Sequence, residues 1–287
     1  MQSYWFGDVD GEACMPFAGT ASARARHVLS IRATMDGFVP LDWENAVACG
    51  AVGGRDEYLS ALRELCFSVA EQEIREQYAG KDTELLQMVR MLDGMDEAIN
   101  LLSGRVTEWY QTRHPTFSRK YRRTPAHVLV GSISQKGRGA LGNVAVQIEQ
   151  LSAARTGLAK EVSARANHVM PNASALIGGL VAARLMSHAG GLLPLSRLPA
   201  SAIQVLGART ALFAHLRTHS PSPKHGIIFQ HRRVHNAPRE CRGKVARALA
   251  GKLAIAARLD YFRGVPVPEF LDRAQERIDL VGRAGEE

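Results

Sequence analysis

The sequence predicts a mainly α-helical protein with a small α/β domain at its N-terminus, an antiparallel coiled-coil hairpin in its middle and an all-α domain at its C-terminus. Three observations carry this reading. Leu85, Met88, Leu92, Met95, Ile99, Leu102, Val106 and Trp109 recur at spacings that alternate three and four, which is the pattern of a coiled-coil seam. Leu141, Val144, Ile148, Leu151, Leu158, Val162 and Val169 repeat the register downstream, interrupted by Arg155 and Arg165. After Pro171 the chain becomes a series of helical segments rich in small and apolar residues. Domains are therefore expected at 1–80, 81–170 and 171–287.

Taken in order, residues 1 to about 45 mix short apolar pieces (Tyr4-Trp5-Phe6, His27 to Ile31, Phe38 to Leu41) with Gly and Asp turn signals and read as a small sheet. From Asp56 to Tyr78, Leu59, Leu62, Leu65, Cys66, Val69 and Ile74 fall at helical spacing. The two seam helices are joined by Gln111 to Gly139, which holds the basic cluster Arg119-Lys120-Arg122-Arg123, compatible with RNA contact or with a solvated tip. Helices are then expected over 173–190, 192–198, 200–216 and 239–262, with a basic loop from Thr218 to Gly226 before Ile227-Ile228-Phe229.

Charge divides the chain. Residues 1–100 hold 8 Lys+Arg against 17 Asp+Glu, whereas residues 184–263 hold 14 against 2, with six histidines besides. A basic module on an acidic one points to a phosphate-bearing partner for the first and a protein partner for the second. In 239–262, Val245, Leu249, Leu253, Ile255 and Ala256 form the expected apolar side, and Lys244, Arg247, Lys252 and Arg258 a basic ridge. No acid lies between Glu240 and Asp260 to neutralise that ridge.

Catalytic patterns are missing. The chain has no G-x-x-x-x-G-K-[ST] loop, no H-E-x-x-H and no G-x-S-x-G. Gly137-Arg138-Gly139-Ala140-Leu141-Gly142 matches a dinucleotide fingerprint and follows the strand-like His127 to Ile133. The required second parallel strand is absent, however, because the following helix continues as a seam to Met170. His219, His225, His231 and His235 lack cysteine or acid partners and sit among Lys224, Arg232 and Arg233, so phosphate or base contact suits them better than a metal. Cys14, Cys49, Cys66 and Cys241 form no C-x-x-C pair and are expected to be reduced and mostly buried. No stretch approaches the roughly eighteen apolar residues of a membrane span. The start lacks a basic region followed by an apolar run, and a cytosolic protein without membrane association is expected.

The segment Ala175 to Ala208 resembles the signature of the Nop domain. Pro223-Lys-His-Gly-Ile-Ile-Phe-Gln230 and Arg242 to Phe262 look like its next two blocks, in the same order. Asp96 to Pro115, with Ile99-Asn-Leu-Leu102 and Trp109-Tyr110, looks like the first coiled-coil helix of the archaeal members, the Nop56/Nop58-type core proteins of box C/D ribonucleoproteins. Residues 1–80 match more weakly and look shortened. One departure falls inside the signature: where archaeal relatives usually read Gly-Ala-Glu-Lys-Ala-Leu-Phe, this chain has Gly207-Ala-Arg209-Thr210-Ala-Leu-Phe213.

The resemblance implies a non-catalytic scaffold. Its N-terminal domain would bind fibrillarin, the partner that carries S-adenosylmethionine and performs 2′-O-ribose methylation of rRNA or tRNA, so no cofactor is expected on this chain. The coiled coil would mediate homodimerisation through Leu92, Met95, Ile99, Leu102, Val144, Ile148 and Leu151. The Nop domain would bind box C/D guide RNA at a kink-turn held by a small ribosomal-protein-like subunit. Carried over by position, the implied RNA contacts are Arg184, Ser187, His188, Gln204, Lys224, His225, Arg242, Lys244 and Arg247, with Arg197, Arg209, Lys252 and Arg258 as a second tier. Alternatives are a splicing-type Nop-domain protein, a nucleotide-dependent RNA-modifying enzyme using Gly137 to Gly142, and a general polyanion binder.

Overall fold

The computed structural model describes residues 2–10, 13–17, 19–32, 43–117 and 124–283. They form two compact units, Met1–Gly80 and Lys81–Glu287. In the first, β1 (Gln2–Tyr4), β2 (Gly7–Asp10) and β3 (Ala13–Pro16) make an antiparallel meander in which Val9 pairs with Gln2 on one side and Cys14 on the other. Trp5 and Phe6 are buried in a core shared with α1 (Ala21–Arg32), α2 (Trp43–Ala48) and α3 (Arg55–Tyr78). Trp5 Nε1 donates to the Tyr58 hydroxyl at 3.4 Å, which satisfies the one polar atom of a buried indole.

Two expectations for this unit are corrected. His27 to Ile31 is the second half of α1 and not a strand: Ala25 and Val28 turn one helical face into the core. Cys14 and Cys49 form a disulfide, with Cα atoms 5.4 Å apart, while Cys66 is exposed and Cys241 half-buried. The small core brings β3 against the end of α2, and sequence spacing alone could not show that proximity. The segment Phe38 to Leu41 lies outside the described residues.

The second unit begins with the hairpin of α4 (Thr83–Arg113) and α6 (Ala140–Val169), with α5 (Ala126–Lys136) packed on both near the tip. Glu84 pairs with Arg165 and Asp96 with Arg155, so numbers fall on one helix as they rise on the other and the pairing is antiparallel. The two arginines that interrupt the seam in the sequence are thus its cross-helix ion pairs. The basic cluster 119–123 lies outside the described residues.

The strand-like run His127 to Ile133 is helical, because Leu129, Val130 and Ile133 fill one core with Val106, Leu141, Ala145 and Ile148. Tertiary packing here overrides the β preference of branched residues. The dinucleotide-like glycines close this helical corner. A Cβ on Gly142 would lie 2.3 Å from the Gly137 carbonyl oxygen, and one on Gly137 2.5 Å from that of Ile133.

The seam is also consumed differently from the expectation. Leu92 and Ile148 are buried within a single chain, and Met95, Ile99, Val144 and Leu151 are half-buried in the same hairpin. From Ile99 the buried track passes to Ser103, Val106 and Tyr110, so Leu102 and Trp109 face outward. A straight helix drifts about 20° per heptad against a strict seven-residue repeat, and α5 covers the side to which it drifts.

The remaining helices are α7 (Pro171–Ile177), α8 (Gly179–Ala189), α9 (Leu192–Arg197), α10 (Ala200–Val205), α11 (Arg209–Thr218), α12 (Arg232–His235), α13 (Arg242–Phe262) and α14 (Pro268–Arg283), with a 3-10 turn at Ile227–Gln230. Their core is continuous with the hairpin's base: Leu85, Val89, Val162 and Met170 pack in the same cluster as Leu185, Ile203, Ile228 and Leu249. Buried Val245, Leu249 and Leu253 anchor α13, each contributing about 1.5–3 kcal/mol of transfer free energy. Ile255, expected with them, is 42% exposed, since it sits about 200° around the helix from Leu253. Among the described residues no helix is long and apolar enough to cross a membrane.

Candidate nucleic-acid interface

The 219–226 loop returns to the core by backbone pairing. Gly226 N donates to Gln204 O at 2.9 Å and Ile227 N to Leu206 O at 2.8 Å. The approach is so close that a Cβ on Gly226 would lie 2.0 Å from Leu206 O. Gln204 Nε2 adds a bond to Lys224 O at 2.8 Å. The amide of this expected RNA contact therefore holds the loop that presents Lys224.

That loop meets the N-terminus of α13. The Lys224 side chain passes 3.7 Å from where a Gly243 Cβ would stand. The His225 ring stacks on Phe229 with centroids 4.4 Å apart, and the Arg242 guanidinium covers Phe229 at 5.2 Å. Arg242 also donates to Ala237 O at 3.3 Å and His235 O at 3.1 Å, so it organises the loop as well as charging it. Burial, then Arg242 and Lys224, lower the His225 pKa below its ordinary 6.5, which keeps the imidazole neutral at neutral pH.

No acid occupies the first turn of this 21-residue helix. Arg242 N already donates to Pro238 O at 2.9 Å and Lys244 N to Cys241 O at 2.8 Å, so side chains supply most of the donors here. The positive dipole end stands beside Lys224, with Lys244 exposed on the first turn and Arg247 on the second. Neither lysine nor Arg247 has an acidic partner among the described residues. The arrangement can bind phosphate oxygens while presenting an imidazole, which is the chemistry of a nucleic-acid backbone site. A set of three or more His, Cys, Asp or Glu side chains placed to hold a metal does not occur among the described residues.

Other expected contacts lie elsewhere. His188 is exposed and Ser187 half-buried in the last turn of α8. Arg209 and Thr210 are exposed at the start of α11, a helix that buries none of its residues and exposes Phe213 and Leu216. Lys252 is half-buried and about 12 Å along α13 from Lys244. Arg258 is farther still and donates to Ser196 O, next to exposed Arg197. Arg184 is only 15% exposed and is committed internally to Asp96, Asp93 and Gln230. Sequence reasoning passed over Phe229, the ring that gathers His225, His235 and Arg242, because a lone aromatic beside Ile228 reads as core.

A protein-family model described as "Nop: snoRNA binding domain, fibrillarin" matches residues 129–279, more than half of the chain. The chain belongs to the Nop family. It is 31% identical over 270 residues to an uncharacterized NOP5 family protein of Methanocaldococcus jannaschii, covering 82% of this chain and 65% of the relative. Nucleolar protein 56 of Caenorhabditis elegans is 31% identical over 241 residues (69% of this chain, 50% of the relative). Nucleolar protein 58 of Mycosarcoma maydis is 32% identical over 215 residues (62% and 37%). The chain thus matches less than two thirds of the length of each of these relatives. Among solved structures, one from a crystal structure of a fibrillarin/Nop5p complex matches with a TM-score of 0.52 and 27% identity, covering 97% of this chain and 98% of that one. The Nop match contains every element of the site above, from α8 through the 3-10 turn to α13.

Proposed function

We propose that this Nop-family chain is a non-catalytic, cytosolic scaffold of a box C/D ribonucleoprotein. Its second unit docks on a kink-turn of the guide RNA, and its first unit binds fibrillarin, which holds S-adenosylmethionine and methylates the 2′-hydroxyl of the target ribose. The observation that carries this is the convergence of Lys224, His225, Arg242 and Lys244 at the first turn of α13, which holds no acid and where basic side chains can meet backbone phosphate. The names of the similar proteins support the assignment to this class of particle. The outward Phe213 and Leu216 of α11 suit the small kink-turn-binding protein, and Met91, Leu101, Leu102 and Val146 on the hairpin suit a second copy of this chain.

A gel shift on kink-turn RNA, with and without its small binding subunit, tests the reading. Wild type should require the subunit. A Lys224→Glu, Lys244→Glu variant should lose binding, and the neutral Lys224→Gln, Lys244→Gln pair should flatten the salt dependence by about two logarithmic slope units. Binding that needs neither the subunit nor the RNA fold would instead identify a general polyanion binder.

A further inference from the structure

Arg184 sits where three parts of the second unit meet. On α8, its guanidinium Nη2 donates to Asp96 Oδ2 at 3.0 Å and its Nη1 to Gln230 Oε1 at 2.9 Å. Its Nε lies 3.3 Å from Asp93 Oδ1 without hydrogen-bond alignment. Arg155 of α6 grips the same Asp96 carboxylate in a two-pronged pair, Nε to Oδ1 at 2.7 Å and Nη2 to Oδ2 at 3.0 Å. That pairing, with Arg184, holds the Asp96 pKa below its ordinary 3.8. Two arginines and two aspartates make a neutral cluster. Drawing Arg184 out to a phosphate would leave two carboxylates sharing one guanidinium in a partly desolvated place.

Gln230 ends the 3-10 turn whose Phe229 ring carries His225 and Arg242. A continuous path of polar contacts and ring stacking therefore runs from the hairpin through Asp96, Arg184 and Gln230 to the residues that face phosphate. We propose that Arg184 is a positioning residue and not an RNA contact: it pins the phosphate-facing loop to the coiled-coil hairpin. This rests on the RNA-binding role given above. Its consequence is that the loop's affinity for RNA depends on acidic residues of α4 that RNA itself would repel.

The sign of that dependence is the test. RNA affinity is measured on the full chain with kink-turn RNA and its small binding subunit, for Arg184→Ala, Gln230→Ala, the pair Asp93→Ala, Asp96→Ala, and the triple variant. Thermal midpoints confirm that each is folded. Removing two carboxylates should raise affinity by simple electrostatics; the pin requires instead a loss of about tenfold, matched by Arg184→Ala and not deepened in the triple variant. Gln230→Ala, which cuts only the loop end, should show the same loss even if a core variant fails to fold. Without RNA, amide exchange over residues 225–231 should quicken in Arg184→Ala, Gln230→Ala and the aspartate pair alike. Unchanged exchange there, or equal or tighter RNA binding by the aspartate pair, overturns the proposal. The exchange measurement does not depend on RNA, and Lys224→Glu, Lys244→Glu in the same binding series reads the RNA-binding role separately.

Discussion

The buried Asp260 carboxylate caps the first turn of α7 through Asn172. Its Oδ1 accepts from Asn172 N at 2.8 Å and from Asn172 Nδ2 at 2.7 Å, and its Oδ2 accepts from Ala173 N at 2.9 Å. Asn172 completes the junction by donating to Val265 O and accepting from Val267 N. One acid on α13 thereby ties the end of the coiled coil to the connection into α14.

Asp260→Ala is expected to destabilise the second unit by about 2–4 kcal/mol, because three buried N–H donors lose their acceptor. Denaturant unfolding checks this. The residue has a pH signature as well. Burial raises its pKa above 3.8, with the three hydrogen bonds opposing. Between 3.8 and the higher folded value the folded chain keeps a proton that the unfolded chain has lost. Its contribution to stability therefore declines as pH rises through that window and is level above it. Asp260→Asn should remove this slope.

Gly142→Ala should cost about 1–3 kcal/mol, since its Cβ would stand 2.3 Å from a backbone oxygen that is itself fixed by the end of α5. Gly139 has open space around its missing Cβ, but its φ of +73° and ψ of −161° are adopted almost only by glycine. Alanine there should cost a similar amount, about 1–3 kcal/mol, through the backbone alone. Urea unfolding of both variants reads the two costs. A Gly142→Ala variant as stable as wild type would mean that the glycine pattern answers to something other than the helical corner.

This corner shows where the sequence was legible and where it was not. The stripe from Leu85 to Ile99 marked the hairpin because periodicity is local, and the order of the C-terminal helices was readable for the same reason. Arg155 and Arg165 looked like faults because their partners, Asp96 and Glu84, are on another helix. His127 to Ile133 looked like a strand because composition cannot reveal that α4 and α6 would bury one helical face. Lys224, His225, Arg242 and Lys244, which the resemblance implies as RNA contacts, are brought together at one place by the structure. Arg184 and Gln204 are implied in the same way, yet their polar groups bond to other parts of the same chain, and only the location of those partners shows it.

His225 offers a spectroscopic check on the loop. Its pKa is lowered by burial first and by Arg242 next, so the unfolded chain takes up a proton before the folded one as pH falls. The group's stabilising contribution is full above about 6.5 and is lost as pH drops toward the folded value. Arg242→Ala should move the imidazole titration back toward 6.5 by uncovering the ring and removing a positive neighbour. A proton NMR titration that leaves the His225 resonance in place would show that Arg242 does not shape its surroundings.

The Cys14–Cys49 pair makes the first unit sensitive to reductant. Its core is small, built around Trp5, Phe6, Tyr58 and Leu65, and a domain of this size gains much from a covalent strap. Closing a loop with a sequence separation of 35 removes chain entropy worth about 3–4 kcal/mol from the unfolded state. Thermal unfolding of the oxidised chain should show its first-unit transition fall when a thiol reductant is added. A Cys14→Ser, Cys49→Ser variant should already sit at the lower value and ignore the reductant. In a reducing cytosol the bond persists only if its potential lies below that of the glutathione pool, so equilibration against a glutathione series gives the decisive number. Full reduction at the potential of a cytosolic glutathione pool would mean that in such a compartment the unit is a dithiol with the lower stability.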